Sequence, residues 1–378
     1  MNKIYEDMKK ISTPSYVVDK GLIKRNLEIL KEISDKTGCK ILLAQKAFSM
    51  YSIYPFISQY LSGTTASGLY EAKLGNEEMS GETHVFSAAY NENEFDEILD
   101  ICDHISFNSF SQWEKYKDKA MKKGGSFGIR INPEHSTQDH GIYDPCAEGS
   151  RLGVKKENFR EDLLEGIEGL HFHTLCEQNV QPLVETLKVV EKNFGETIKK
   201  MKWINFGGGH HITQSDYDRK KLIEVINRFQ EKYHVQVYLE PGEAVALNAG
   251  FLVASVLDIV ENKINIALLD ASAACHMPDV IEMPYRPPLY RSYEFQEKPY
   301  SYRLAGATCL AGDIIGDYSF EEQLKVGDKV IFEDMAIYSM VKNNTFNGMR
   351  LPSIVLRHET GELETIKEFG YEDFKVRL

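Results

Sequence analysis

Between residues 40 and 242 the chain repeats one short pattern eight times, a β-rich run bounded by turn residues and followed in most cases by a helical stretch. The runs are KILLAQK (40–46), SGTTAS (62–67), HVFSAA (84–89), HISFNS (104–109), FGIRIN (127–132), GLHFHT (169–174), WINFGG (203–208) and VYLEPG (237–242). Segments such as EFDEILDIC and QPLVETLKVVEKNF stand between them. Alternating strands and helices specify parallel strands joined by crossovers, and eight of them is the count of a (β/α)8 TIM barrel. A doubly wound open sheet is the alternative architecture. No fixed-period repeat is visible, which removes solenoids and propellers.

After Glu240 the texture changes to strand-like runs, FLVASVLDIV, NIALLD, DKVIFED and SIVLR, with few long helical patterns. The early segment TPSYVVD is also strand-like and is expected to join them. The sequence therefore predicts an α/β barrel over residues 21–244 and a mainly β domain from 1–20 and 245–378. A chain of 378 residues has room for both, at roughly 150 residues per domain.

Apolar residues at 42% and charged residues at 27% are the mix of a folded core, not of a disordered tail. Lys plus Arg is 44 against Asp plus Glu at 57, a balance of −13. That argues against nucleic acid or an anionic membrane as the main partner and favours a cationic small molecule. The longest apolar stretch, Ala249 to Val260, is broken by Asp258 and falls short of the ~20 residues of a spanning helix. The opening MNKIYEDMKK has no apolar signal core, so a cytoplasmic protein is expected. Cys39, Cys102, Cys146, Cys176, Cys275 and Cys309 lie far apart with no C-x-x-C, the pattern of separate reduced thiols.

In a barrel, chemistry sits at the C-terminal strand ends. The first run ends in Lys46 after the apolar ILLA, where desolvation lowers the amine pKa toward that of a nucleophile; taken alone, a lysine in such a place is more often a surface residue. The sixth ends in His171-Phe172-His173, whose alternation puts both histidines on one face. The seventh enters Gly207-Gly208-Gly209, where barrels commonly bind phosphate. The eighth ends in Glu240, a carboxylate that needs a cation beside it. An amine, an imidazole, a phosphate cradle and a carboxylate are the set that pyridoxal phosphate requires, the acid keeping the pyridine nitrogen protonated as an electron sink. A metal-dependent hydrolase using His171, His173, His210 and His211 near Glu240 is the competing reading; it leaves Lys46 and the triple glycine unused.

The sequence resembles the fold-type III, alanine-racemase-like pyridoxal-phosphate decarboxylases, the group that includes the ornithine and diaminopimelate enzymes. The resemblance runs over nearly the whole chain: LLAQKAFSM around Lys46, TTASGLYEA (64–72), RINPEH (130–135), SRLG (150–153), FHTLCEQN (172–179), NFGGG (205–209), EPGEA (240–244), GATCLAGD (306–313) and EDMAIYSMVKNNTFNG (333–348). The segment DASAACHMPDVIEMPYRPPL (270–289) points to the carboxynorspermidine (carboxyspermidine) decarboxylase branch. The resemblance implies that Lys46 carries the cofactor covalently, His173 stacks on its ring, Gly208 and Gly209 hold its phosphate, and Glu240 pairs with the ring nitrogen. Tyr338 would also touch the phosphate. Cys309 would be supplied by a partner subunit to protonate the α-carbon, and Asp313 would bind the distal amine, in a head-to-tail homodimer. Those relatives carry EPGR, whereas this chain has Glu243 in place of the arginine. A negative charge there suits a substrate with extra amines and argues against diaminopimelate. A barrel that binds the cofactor without turnover would lack the C-terminal β domain, and a racemase would want an arginine against the ring nitrogen.

Overall fold

In the computed structural model, which describes residues 2–138, 141 and 144–378, the chain divides into two units, Asn26–Val245 and Met1–Arg25 with Ala246–Leu378. Strand β1 (Ser15–Asp19) belongs to the second. It is followed by β2 (Lys40–Ala44), β3 (Gly63–Ala66), β4 (Glu82–Phe86), β5 (His104–Phe107), β6 (Ser126–Arg130), β7 (Ile167–His171), β8 (Trp203–Asn205) and β9 (Gln236–Leu239). Strands β2 to β9 pair in parallel in sequence order, and β9 returns to β2, so the barrel is closed and the open-sheet alternative falls away.

The intervening helices form where the sequence supplies a cap and an apolar stripe. In Val180–Ile198, Val180, Leu183, Leu187, Val190 and Phe194 recur at three- and four-residue spacing and are buried, while the Asn179 side chain accepts the Val180 N–H. Asn91, Ser109 and Asp218 cap their helices in the same way. Inside the barrel, His84 and His104 stack at 4.1 Å, with Tyr238 and Trp203 against them. His104 and Trp203 begin their strands, so this cluster fills the barrel below the strand ends that carry the loops.

The strands end earlier than the sequence runs suggest. Strand β2 stops at Ala44 because the Ala47 N–H turns back to the Ala44 carbonyl, lifting Lys46 off the sheet. Likewise His173, Gly208 and Glu240 stand one to three residues beyond the ends of β7, β8 and β9. The reading of Lys46 and Glu240 as strand-terminal is corrected to the first turn of each following loop.

The second unit is a sheet in the order β13-β12-β11-β10-β1-β15-β16, with β14 also on β10. Its strands are β10 (Gly250–Asn262), β11 (Ile264–Leu269), β12 (Tyr300–Ala305), β13 (Ile314–Phe320), β14 (Lys329–Glu333), β15 (Ser353–Arg357) and β16 (Leu363–Lys367). Strand β1 lies antiparallel to β10 and parallel to β15. Alternation along β1 and β10 divides the core: Tyr16, Leu252 and Ala254 face one cluster, and Val17, Phe251 and Val253 the other. Strands β12, β13 and β16 escaped the sequence reading, β16 because charged residues interrupt it and most of it is exposed. The six cysteines are free, and no helix among the described residues is long and apolar enough to cross a membrane.

Candidate active site

One cavity opens among the loops at the C-terminal ends of the barrel strands. Lys46, His173, Gly208 and Glu240 all line it, joined by Phe86, Arg130 and His171. Desolvation by the cavity walls lowers the Lys46 amine pKa, the Arg130 charge lowers it further, and Glu240 opposes the shift. Among the described residues the amine is in no salt bridge, so it is uncommitted.

His173 is pushed well below the ordinary imidazole range by burial, with Lys46 and Arg130 acting in the same sense. The ring is therefore neutral. Its Nδ1 accepts the Gly208 N–H at 2.9 Å, which places the proton on Nε2 and fixes the plane of the ring. Arg130 donates to the His173 carbonyl at 3.4 Å and lies 4.4 Å from the centre of the Phe86 ring.

Burial alone would raise the Glu240 carboxyl, but contacts from His171, Asn205 and Thr65 outweigh it and hold the group below the usual carboxylate range. Asn205 Nδ2 donates to Oε1 at 2.7 Å, and His171 Nε2 lies 3.5 Å from Oε2. Arg130, His171 and Asn205 are in register on β6, β7 and β8, so three adjacent strands build the layer beneath Glu240.

The triple glycine is required by space. A β-carbon on Gly208 would sit 2.5 Å from the Glu240 carbonyl oxygen, and one on Gly209, at φ +79°, 2.0 Å from that of Leu175. The N–H groups of Gly207 and Gly208 go to Asn205 Oδ1 and His173 Nδ1, while that of Gly209 has no partner among the described residues. Three strand-end segments carry a further cluster: Glu243 Oε1 is 3.2 Å from His211 Nε2, and Glu177 joins them. The Glu177 carboxyl is raised by burial and by the charge of Glu243.

The four histidines of the hydrolase reading do not gather around Glu240 as ligands. Among the described residues the metal-sized groupings are Glu177–His211–Glu243 and Glu82–His84–His104. In the latter the two imidazoles are stacked within 6° of parallel, so their in-plane lone pairs run side by side and do not converge on one ion.

Cys309, Asp313 and Tyr338 belong to the other unit. Cys309 is exposed, and its N–H donates to Asn347 Oδ1 at 2.9 Å. Asp313 is buried and its carboxylate accepts from Ser272 Oγ, Thr308 Oγ1 and the Ala274 N–H, which ties the Gly306–Gly312 turn to the Ser272 helix start. Tyr338 is half-buried at φ +56°. Thr65, Phe86, Arg130, Glu177 and Asn205 were missed as site residues. Thr65, Arg130, Glu177 and Asn205 stand inside the quoted motifs TTASGLYEA, RINPEH, FHTLCEQN and NFGGG.

A family described as pyridoxal-dependent decarboxylase, C-terminal sheet domain, matches residues 15–336. Similar proteins include a carboxynorspermidine/carboxyspermidine decarboxylase of Campylobacter jejuni, 45% identical over 97% of this chain and 99% of that one. A carboxyaminopropylagmatine decarboxylase of Synechocystis is 40% identical over 98% and 96%. The crystal structure of the Campylobacter jejuni carboxynorspermidine decarboxylase complexed with norspermidine aligns with a TM-score of 0.92 at 44% identity, over 97% of this chain and all (100%) of that one. Helicobacter pylori diaminopimelate decarboxylase, at 18% identity and a TM-score of 0.85, shares the fold.

The residues at the mouth fit pyridoxal phosphate: a desolvated amine outside any salt bridge, a cradle in which a β-carbon would collide, and a carboxylate held ionised. With that fit and a match along the length of the chain, this protein belongs to the pyridoxal-dependent decarboxylases and is a pyridoxal-phosphate-dependent carboxy-lyase.

Proposed function

We propose that the protein decarboxylates carboxynorspermidine or carboxyspermidine to norspermidine or spermidine, a step of polyamine biosynthesis. The observation that carries the substrate class is the pair of carboxylates at the mouth, Glu243 and Glu177, where the ornithine and diaminopimelate enzymes present an arginine after the E-P-G. Full-length likeness to a Campylobacter jejuni enzyme of that specificity supports it. So does the net charge of −13, which attracts a polycation.

When bound, pyridoxal phosphate supplies the electron sink into which the bond to CO2 breaks. In this reading Lys46 would hold the cofactor covalently through its amine, beside the site that takes the α-amine of the substrate. The neutral His173 ring supports one face of the cofactor. Gly209 offers its N–H to the phosphate and Gly208 gives it room, with Tyr338 a further contact. Glu240 keeps the ring nitrogen protonated. Glu243 and Glu177 receive the ammonium groups of the tail, charge-assisted contacts of roughly 1.5–3 kcal/mol each. An amine contact by Asp313 would be made in addition to its bonds to Ser272 and Thr308. Cys309 of a partner chain delivers the proton to the α-carbon, which makes the working unit a head-to-tail homodimer.

The test is the visible spectrum before and after substrate, with borohydride trapping and peptide mapping. A yellow chromophore mapped to Lys46 and CO2 release from carboxynorspermidine or carboxyspermidine are expected. Release only from carboxyaminopropylagmatine would move the substrate to the guanidinium-bearing polyamine of the Synechocystis relative. A colourless protein active only with zinc would overturn the reading.

A further inference from the structure

His171 is the most deeply buried polar side chain of the cavity, at 2% exposed, and the roles assigned above leave it without one. It is not an accident of core packing alone, because a buried imidazole whose nitrogens lack partners is costly unless something nearby requires it. Neither ring nitrogen makes a hydrogen bond of ordinary geometry among the described residues. The polar group nearest to Nε2 in any recorded contact is Glu240 Oε2, at 3.5 Å. Phe86 meets the ring edge-to-face with centroids 5.4 Å apart, and the same Phe86 carries the Arg130 guanidinium. Strand register completes the picture. Asn205, the neighbour of His171 on β8, takes the other oxygen of the same carboxylate.

We propose that His171 is the positioning residue for Glu240, its Nε2–H facing Oε2 while Asn205 grips Oε1. The inference rests on the proposed pairing of Glu240 with the cofactor's ring nitrogen. A carboxylate that must stay ionised in a buried site, and keep one fixed orientation toward a cationic N–H, needs donors on both oxygens; a lone hydrogen bond leaves it free to rotate about its last bond. The charged and titratable groups facing His171 are Glu240 after β9, Arg130 on β6, Lys46 after β2 and His173 two residues on. Burial, helped by the charges of Arg130 and Lys46, outweighs the pull of Glu240, so the ring stays neutral and serves as a donor, not as a second cation.

The test compares His171→Phe, which keeps the ring volume and its contact with Phe86, with His171→Gln, which restores an N–H at similar reach. Both are measured as holoenzymes. For the Phe variant kcat should fall roughly 10- to 100-fold with KM within about twofold of wild type. The acid limb of the kcat profile should move to higher pH, since Glu240 loses a donor that favours its anion, and the visible absorbance of the bound cofactor should titrate with it. The Gln variant should recover most of both. A Phe variant with wild-type kcat, acid limb and spectrum would reduce His171 to a filler of the barrel and overturn the proposal. If the Phe variant does not fold, His171→Leu makes the same comparison against His171→Gln. A wild-type protein that forms no chromophore at Lys46 would overturn the functional reading itself, an outcome distinct from insensitive variants of a protein that does.

Discussion

At the scale of single residues, location turns ordinary groups into reagents. Lys46 differs from the many surface lysines in having its amine in the cavity beside Arg130, and Glu240 from the other glutamates in having His171, Asn205 and Thr65 against it. Gly209 has the least freedom to change. Gly209→Ala forces a β-carbon to 2.0 Å from a carbonyl at φ +79°, a strain of about 1–3 kcal/mol; the expected outcome is a cofactor affinity reduced at least about tenfold, read by fluorescence titration with pyridoxal phosphate. Asp313→Ala removes the acceptor of Ser272, Thr308 and Ala274. It should lower stability in urea by about 1–3 kcal/mol. A KM rise for the polyamine substrate in the same variant adds the amine contact, and an unchanged KM confines Asp313 to shaping the Cys309 turn.

At the scale of elements, histidines buried at both ends of the barrel set its acid stability. Burial pushes His104 down to about 3 and His210 to about 4, whereas the unfolded chain titrates near ~6.5. Between those limits the unfolded state binds protons that the folded state refuses, so stability is whole above pH ~6.5 and falls as pH drops toward about 4. Both tryptophans, Trp113 and Trp203, lie in the barrel unit and report it selectively. Urea melts followed by their fluorescence at pH 7.5 and 5 should show the decline, and His104→Phe should reduce the slope by about 1.4 kcal/mol per pH unit. An unaltered slope would place the acid sensitivity elsewhere. The barrel strands were legible because their runs are buried nearly throughout and apolar; β16 was not, because its side chains face water and carry no burial pattern.

At the scale of the whole molecule, the proposed dimer makes a direct prediction. Mixing Lys46→Ala with Cys309→Ala chains, each inactive or nearly so, should restore activity to about a quarter of wild type, since half the dimers are mixed and each mixed dimer rebuilds one of two sites. No recovery would mean that each chain completes its own site. The sequence by itself determined the eightfold strand–helix rhythm and the β-rich remainder, and singled out Lys46, His173, the glycines and Glu240 as candidates, because hydrophobic periodicity and turn residues are local signals and the motifs lie at or just beyond strand ends. Only the tertiary structure decided what surrounds them. His171 and Asn205 reach Glu240, with Arg130 beside them, because the register of three adjacent strands aligns them, and Glu177 meets Glu243 because loops 66 residues apart in sequence fold to one place. Register and loop closure are non-local, and a charge's neighbours, which fix its pKa and hence its chemistry, are known only when the sheet has closed.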